Sequence, residues 1–208
     1  MVDETRDKLI DLLDRFARVN RDAGTRFELA SGEGSEVYFD GKRVTQSYEG
    51  MPLVGQVVWE FATKIGAEAV GGLAVGSIPI SDAAVAYATF TAKSKLEGFY
   101  VLDSAKTHGT KERVYQSFRE DGRELLSKGT EVLIVDDVMT TGGSIGRAIA
   151  EVRERGAHVQ GVLVLIDRGD DRAEGIRKAA PHFYAVADLD KKGNLGPSST
   201  GLAPAIAS

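Results

Sequence analysis

The residues best suited to chemistry lie in one stretch, 131–147, which reads EVLIVDDVMTTGGSIGR. Its apolar run 132–135 predicts a buried strand, with Asp136 and Asp137 following at the carboxyl end. Thr140, Thr141, Gly142, Gly143 and Ser144 then lead into a helix. Paired glycines let the backbone turn sharply and approach a ligand, and a helix N-terminus offers N–H groups with no partner inside the helix. With three hydroxyls added, the segment predicts a cradle for a phosphate monoester. The two carboxylates upstream accept hydrogen bonds from vicinal hydroxyls, so a phosphorylated sugar satisfies the whole segment.

Three other readings compete. Gly142-x-Ser144-x-Gly146 has the spacing of a hydrolase nucleophile elbow, but six residues separate Val135 from Gly142 and no HGGG-type oxyanion segment exists. VLIVDD also opens phosphoacceptor receiver domains, yet only 71 residues follow Asp137, too few for the strand–helix units still required. A plain loop start is the third, and two adjacent acids running into TTGGS make it a poor fit.

Four further segments stand out. Gly71-Gly72-Leu-Ala-Val-Gly76-Ser77-Ile-Pro79 closes an apolar run with a glycine-rich turn, which by itself does no more than reverse the chain. Ala105-Lys106-Thr107-His108-Gly109-Thr110-Lys111 lies in a polar stretch that in isolation reads as a solvated charge run. Arg168 follows the run VLVLID; an arginine fork donates two parallel bonds and so suits a carboxylate. The segment 27–39, FELASGEGSEVYF, places Tyr38 and Phe39 where they are either plain core or a cover over a flat ligand.

Together these segments resemble the type I phosphoribosyltransferases, over about 26–168, and within them the orotate-using branch. VLIVDDVMTTGGS is similar to the family's phosphoribosyl-diphosphate (PRPP) motif. The resemblance implies that Asp136 and Asp137 hold the ribose hydroxyls and that Thr140, Thr141, Gly142, Gly143 and Ser144 hold the 5′-phosphate. By the same likeness Gly76 and Ser77 cup the diphosphate, and Lys106 and His108 belong to an AK-x-HG catalytic loop closing over it. Arg168 then clamps the orotate carboxylate, with Tyr38 and Phe39 covering the base. The resemblance further implies Mg²⁺ held mainly by PRPP and water rather than directly by the protein, and a homodimer sharing the loop. Orotidine 5′-monophosphate and pyrophosphate would be the products, as in pyrimidine biosynthesis.

The chain departs from that pattern at three positions where the branch carries cations: Ala30, Leu102 and Asp103. Lys42, Arg43, Lys111 and Arg113 are nearby cations that can take their place. The departures motivate two alternatives, a PRPP-binding regulator without transfer activity and transfer to a different base.

The elements that must position these residues follow from periodicity. Leu9, Leu12, Leu13, Phe16 and Val19 predict an N-terminal amphipathic helix. Asp40-Gly41 predicts a tight hairpin turn, and Pro52 opens a helix that closes at Gly66. Beyond it, strands at 69–75, 98–102, 132–135, 159–166 and 183–187 alternate with helices at 81–93, 144–155 and 172–180, while 104–119 is read as a loop. That alternation predicts an α/β fold: a mostly parallel sheet flanked by helices, with a small N-terminal hood. The expected divisions are 1–50 for the N-terminal helix and hood, 51–187 for the PRPP-binding core, and 188–208 for a weakly ordered tail. Trp59 is expected in the core. His158 and His182 lie far from each other and from acid clusters, so no metal site is expected there.

Composition bounds the function. The chain has 208 residues and a net charge of −5, and its first 40 residues carry ten acids against six bases. That balance argues against a nucleic-acid partner. No cysteine is present, which excludes disulfides, thiolate metal sites and cysteine nucleophiles. The charged start MVDETRDKL is unlike a secretory signal, and no apolar run reaches the roughly 20 residues of a membrane helix. A cytoplasmic protein without a membrane partner is expected. Glycine is abundant, at 24 residues, which directs attention to where the backbone must approach something closely.

Overall fold

The computed structural model describes residues 2–20, 27–28, 34–35, 37–103, 113–190 and 192–200. Helix α1 (Val2–Leu12) runs on through a wider π turn, Leu13–Ala17, and buries Leu9, Leu12, Leu13 and Ala17. Phe16, expected on the same stripe, is exposed instead, because the wider turn shifts the helical phase; it carries the Arg15 guanidinium over its ring. The hood is built from short antiparallel pairs. β1 (Arg18–Asn20) pairs with β4 (Val37–Phe39), and β2 (Phe27–Glu28) with β3 (Gly34–Ser35).

The expected hairpin at Asp40-Gly41 does not form. Gly41 has right-handed helical dihedrals and starts α2 (Lys42–Thr45), while β4 finds its partner back at β1. Tertiary contact decides this: a Cβ on Gly41 would lie 2.6 Å from Asp137 Cβ, so the backbone there is pressed against the acid pair.

α3 (Gly50–Ile65) closes on Gly66 at φ 72°, as the sequence predicts, although it begins two residues before Pro52. The core is a seven-stranded sheet. β5 (Ala69–Leu73), β6 (Glu97–Val101), β8 (Glu131–Met139), β9 (His158–Asp167) and β10 (His182–Leu189) run parallel, with β7 (Val114–Gln116) and β11 (Leu195–Pro197) as antiparallel edges. The spatial order is β11-β10-β9-β8-β5-β6-β7. Both edges correct the sequence reading: β7 lies in the stretch read as loop, and β11 in the stretch read as a loose tail. Arg6 holds that tail, donating to the carbonyls of Val186 and Ser198.

Two helices set the location of the crevice. α4 (Ile78–Tyr87) follows β5 and packs on the face covered by α1 and α3, with Val70, Leu133, Val135, Leu163 and Leu165 beneath it. α5 (Gly143–Glu154) follows β8 and packs on the opposite face, over Val132, Ile134, Val162 and Val164. The chain therefore leaves β5 and β8, adjacent in the sheet, toward opposite sides. Such a switch point opens a crevice beyond the strands' carboxyl ends. A 3₁₀ turn, Asp171–Ala173, and α6 (Glu174–Arg177) cap the end of β9.

Candidate active site

The acid pair is part of a strand and not the start of a loop. β8 continues four residues past Val135, so Asp136 pairs in register with Val164 and Met139 with Asp167. Side chains alternate along a strand. Leu133 and Val135 lie on the face of α1 and α3, Val132 and Ile134 on the face of α5, and Asp137 stands against Gly41 of the hood. Each carboxylate is fixed by its successor's backbone: Asp136 Oδ1 accepts from Asp137 N at 3.0 Å, and Asp137 Oδ1 from Val138 N at 2.9 Å.

Asp136 is 8% exposed. Burial pushes its carboxyl well above the ordinary value of 3.8, and the neighbouring Asp137 adds to the rise. Lys42 reaches the pair from α2. Its ammonium lies 2.8 Å from Asp40 Oδ1 and 3.8 Å from Asp137 Oδ2.

Gly76 faces the pair from the loop after β5. A Cβ there would stand 2.7 Å from Asp137 Oδ1 and 2.8 Å from Asp136 Oδ1. The glycine lets the backbone of the turn touch both carboxylates at once. The peptide between Ala74 and Val75, in the same turn, is cis. Gly71 and Gly72 belong to β5 and not to the turn. Ser77 is fully buried, and its hydroxyl donates to Leu73 O at 2.8 Å. What the residue offers the site is backbone.

Thr140, Thr141, Gly143 and Ser144 are all at least partly open, and Gly142 caps α5 from the left-handed region at φ 76°. The first N–H groups of α5 have no acceptor within the helix and point out of its N-terminus beside the acids.

Arg168 follows β9 and donates from Nη1 to Val37 O at 3.2 Å, so it ties the end of β9 to the hood. Its pKa is lowered by burial. Phe39, read from the sequence as either core or cover, is 3% exposed in the core with the Arg18 guanidinium 5.1 Å from its ring centre, so it packs the hood. Tyr38, next to it on the strand, faces outward at 38% exposure, as alternation requires. Trp59 packs 5.5 Å from Tyr87 and donates to Ser94 Oγ, a packing role as expected. Lys106 and His108 lie outside the described residues, as does Ala30.

Asp103 is paired. Its carboxylate lies 3.3 Å from Arg147 Nε on α5, and Arg113 Nη2 donates to its carbonyl. One turn along α5 from Arg147, Glu151 lies 3.7 Å from Arg113 Nη1 and accepts from Arg155. Neither Arg147 nor Arg177 stands out in the sequence as a site residue. The latter grips Asp167 through two bonds of 2.8 Å and thereby fixes the end of the strand that carries Arg168.

Comparison with known proteins agrees with this geometry. The phosphoribosyl transferase domain family matches residues 49–188. An orotate phosphoribosyltransferase of Streptomyces avermitilis is 40% identical over 166 residues, covering 79% of this chain and 86% of that relative. One from Aquifex aeolicus is 32% identical over 165 residues, covering 79% and 85%. The crystal structure of Mycobacterium tuberculosis orotate phosphoribosyltransferase in complex with Fe(III) dicitrate superposes with a TM-score of 0.69 at 28% identity, covering 89% of this chain and 97% of that one. The same protein in complex with PRPP gives a TM-score of 0.66 at 25% identity, covering 89% and 96%.

Proposed function

The chain belongs to the type I phosphoribosyltransferase family, in its orotate-using branch, and from that premise we propose that it transfers the 5-phosphoribosyl group of PRPP to orotate. The bond from C1′ to the diphosphate oxygen breaks, a bond from C1′ to a ring nitrogen of orotate forms as that nitrogen gives up its proton to the medium, and pyrophosphate leaves with orotidine 5′-monophosphate as product. One observation carries this assignment to the crevice: Gly76 packs against both carboxylates of β8 where α5 presents its N-terminus, so sugar, diphosphate and phosphate sites converge.

Asp136 and Asp137 accept the ribose 2′ and 3′ hydroxyls. The backbone of 140–144 receives the 5′-phosphate, with the Thr140, Thr141 and Ser144 hydroxyls beside it, and the backbone of Gly76 and Ser77 faces the diphosphate. Arg168, anchored on Val37, is the cation for the orotate carboxylate, and Tyr38 stands at the same edge of the hood. Lys106 and His108 act on the leaving diphosphate, where a cation and an imidazole stabilise developing charge. Catalysis is mainly positioning and charge neutralisation around an oxocarbenium-like sugar.

Mg²⁺ fits as an ion carried in with PRPP. It keeps much of its water and binds through few carboxylates, and no three His, Asp or Glu side chains converge on one point among the described residues. When bound it offsets charge on the diphosphate.

No helix among the described residues is long and apolar enough to cross a membrane, which supports a cytoplasmic location. Phe90 stands exposed beyond the end of α4, in one pocket with Tyr100 and Tyr115, which stack on each other; this apolar patch supports a homodimer. The family match at 49–188 supports 51–187 as the PRPP-binding core, with 1–50 as helix and hood and 188–208 as tail.

The test is pyrophosphate release with PRPP, Mg²⁺ and a panel of bases. Turnover with orotate is expected. PRPP binding without turnover on any base would make the protein a regulator, and turnover with a purine but not orotate would reassign the base.

A further inference from the structure

We propose that Lys42 is a positioning residue for sugar binding, bridging Asp40 of the hood to Asp137 of the acid pair. Three observations converge on it. The Lys42 ammonium sits between two carboxylates contributed by different layers, at 2.8 Å from Asp40 Oδ1 and 3.8 Å from Asp137 Oδ2. Gly41 brings the α2 backbone against Asp137 Cβ, so the approach is built into the chain and not made by a wandering side chain. Arg43 lies 3.9 Å from Asp40 Oδ2, leaving Lys42 as the member of the cluster that reaches onward to the pair.

Asp136 and Asp137 repel one another, and a cation on one side favours an arrangement in which both remain available to hydroxyl donors. Lys42 supplies that charge on the Asp137 side, and Coulomb attraction to Lys42 also opposes the rise in the Asp136 pKa. Its side chain is part-buried with the ammonium paired to Asp40, so it is held in place without ligand. The role presupposes the phosphoribosyl transfer proposed above and concerns the affinity step within it.

Steady-state kinetics on Lys42→Met and Lys42→Arg test it. Losing one charge-assisted contact corresponds to about a tenfold change. Lys42→Met should therefore raise KM for PRPP about tenfold, with kcat within about twofold and KM for orotate unchanged. Lys42→Arg, which keeps the charge, should restore KM to within about threefold of wild type. An unchanged KM for PRPP, a loss confined to kcat, or an arginine variant no better than the methionine variant would each overturn the proposal. Calorimetric titration with PRPP alone separates the two levels. A wild type that binds PRPP but never releases pyrophosphate rejects the transfer reaction and leaves the Lys42 comparison standing on binding; a wild type that does not bind PRPP overturns both.

Discussion

Gly76→Ala puts the geometry of the acid pair to a direct test. The added Cβ would fall 2.7 Å from Asp137 Oδ1 and 2.8 Å from Asp136 Oδ1, so each carboxylate must move about 0.6–0.7 Å to restore van der Waals contact. Both are ends of flexible side chains, and Gly76 does not need a left-handed backbone. The fold should therefore absorb the methyl. The site should not, because the two displaced oxygens are those that accept from Asp137 N and Val138 N. Turning both carboxylates off their preferred torsions costs about 1–3 kcal/mol in all. If PRPP requires their present positions, that cost appears as a roughly 5- to 150-fold loss in kcat/KM for PRPP. Gly72→Ala is the contrasting variant: its Cβ would lie 2.2 Å from Val135 O, a backbone atom inside the sheet, so it should lower stability by about 3 kcal/mol. Kinetics at saturating orotate, beside thermal unfolding of both variants, make the comparison. A Gly76→Ala protein with the wild-type KM for PRPP would refute the placement of the sugar on this pair.

Three more outcomes follow from the same geometry. Asp136→Asn should abolish PRPP binding yet raise Tm at pH 7: burial lifts the native carboxyl above its unfolded value, so wild-type stability falls as pH rises from about 3.8 through the native pKa, and the asparagine avoids that loss. The Tm advantage should vanish below about pH 3.8, and a variant less stable than wild type at pH 7 would contradict the sign. Arg177→Met leaves Asp167 buried without its partner and should lower unfolding free energy by about 3 kcal/mol in urea titration, with little loss expected if the pair were a surface one. Asp103→Asn removes an acid and releases Arg147, so KM for PRPP should fall about threefold at low salt and return to the wild-type value near 0.5 M, since exposed charges are screened; an unchanged KM would show that this charge does not reach the ligand.

The site was legible where its parts are contiguous in the chain. Asp136, Asp137 and the loop 140–144 follow one another, and the strand–turn–helix they imply is local. The parallel sheet was legible because its strands are continuous apolar runs. What escaped the sequence depends on contacts between distant segments. Asp40-Gly41 has the composition of a hairpin turn, and only the approach of Asp137 makes it a helix start. Tyr38 and Phe39 could each be core or cover until the pairing of β4 with β1 assigned one to each face. β11 is three residues long and ends in proline, too short for any period to register, and Arg6 at the other end of the chain secures the tail around it.

The replaced cations illustrate how such distant contacts bear on function. Read alone, Leu102-Asp103 puts an acid beside the place of a polyanion, and a reversed charge at close range weakens binding. In the fold, Asp103 and Glu151 share their surroundings with Arg113, Arg147 and Arg155, three cations to two acids. Arg147 and Glu151 lie on α5, the helix whose N-terminus faces the acid pair, and Arg155 follows its last residue. Arg147, in the first turns of α5, therefore sets a cation against the acid at the end of β6. On the opposite side Lys42 lies against Asp137 and Arg168 is tied to the hood. Lys42, Arg147 and Arg168 thus bring cations from three different elements to the surroundings of the acid pair, and the Asp103→Asn salt series tests whether they offset the departures at 102 and 103.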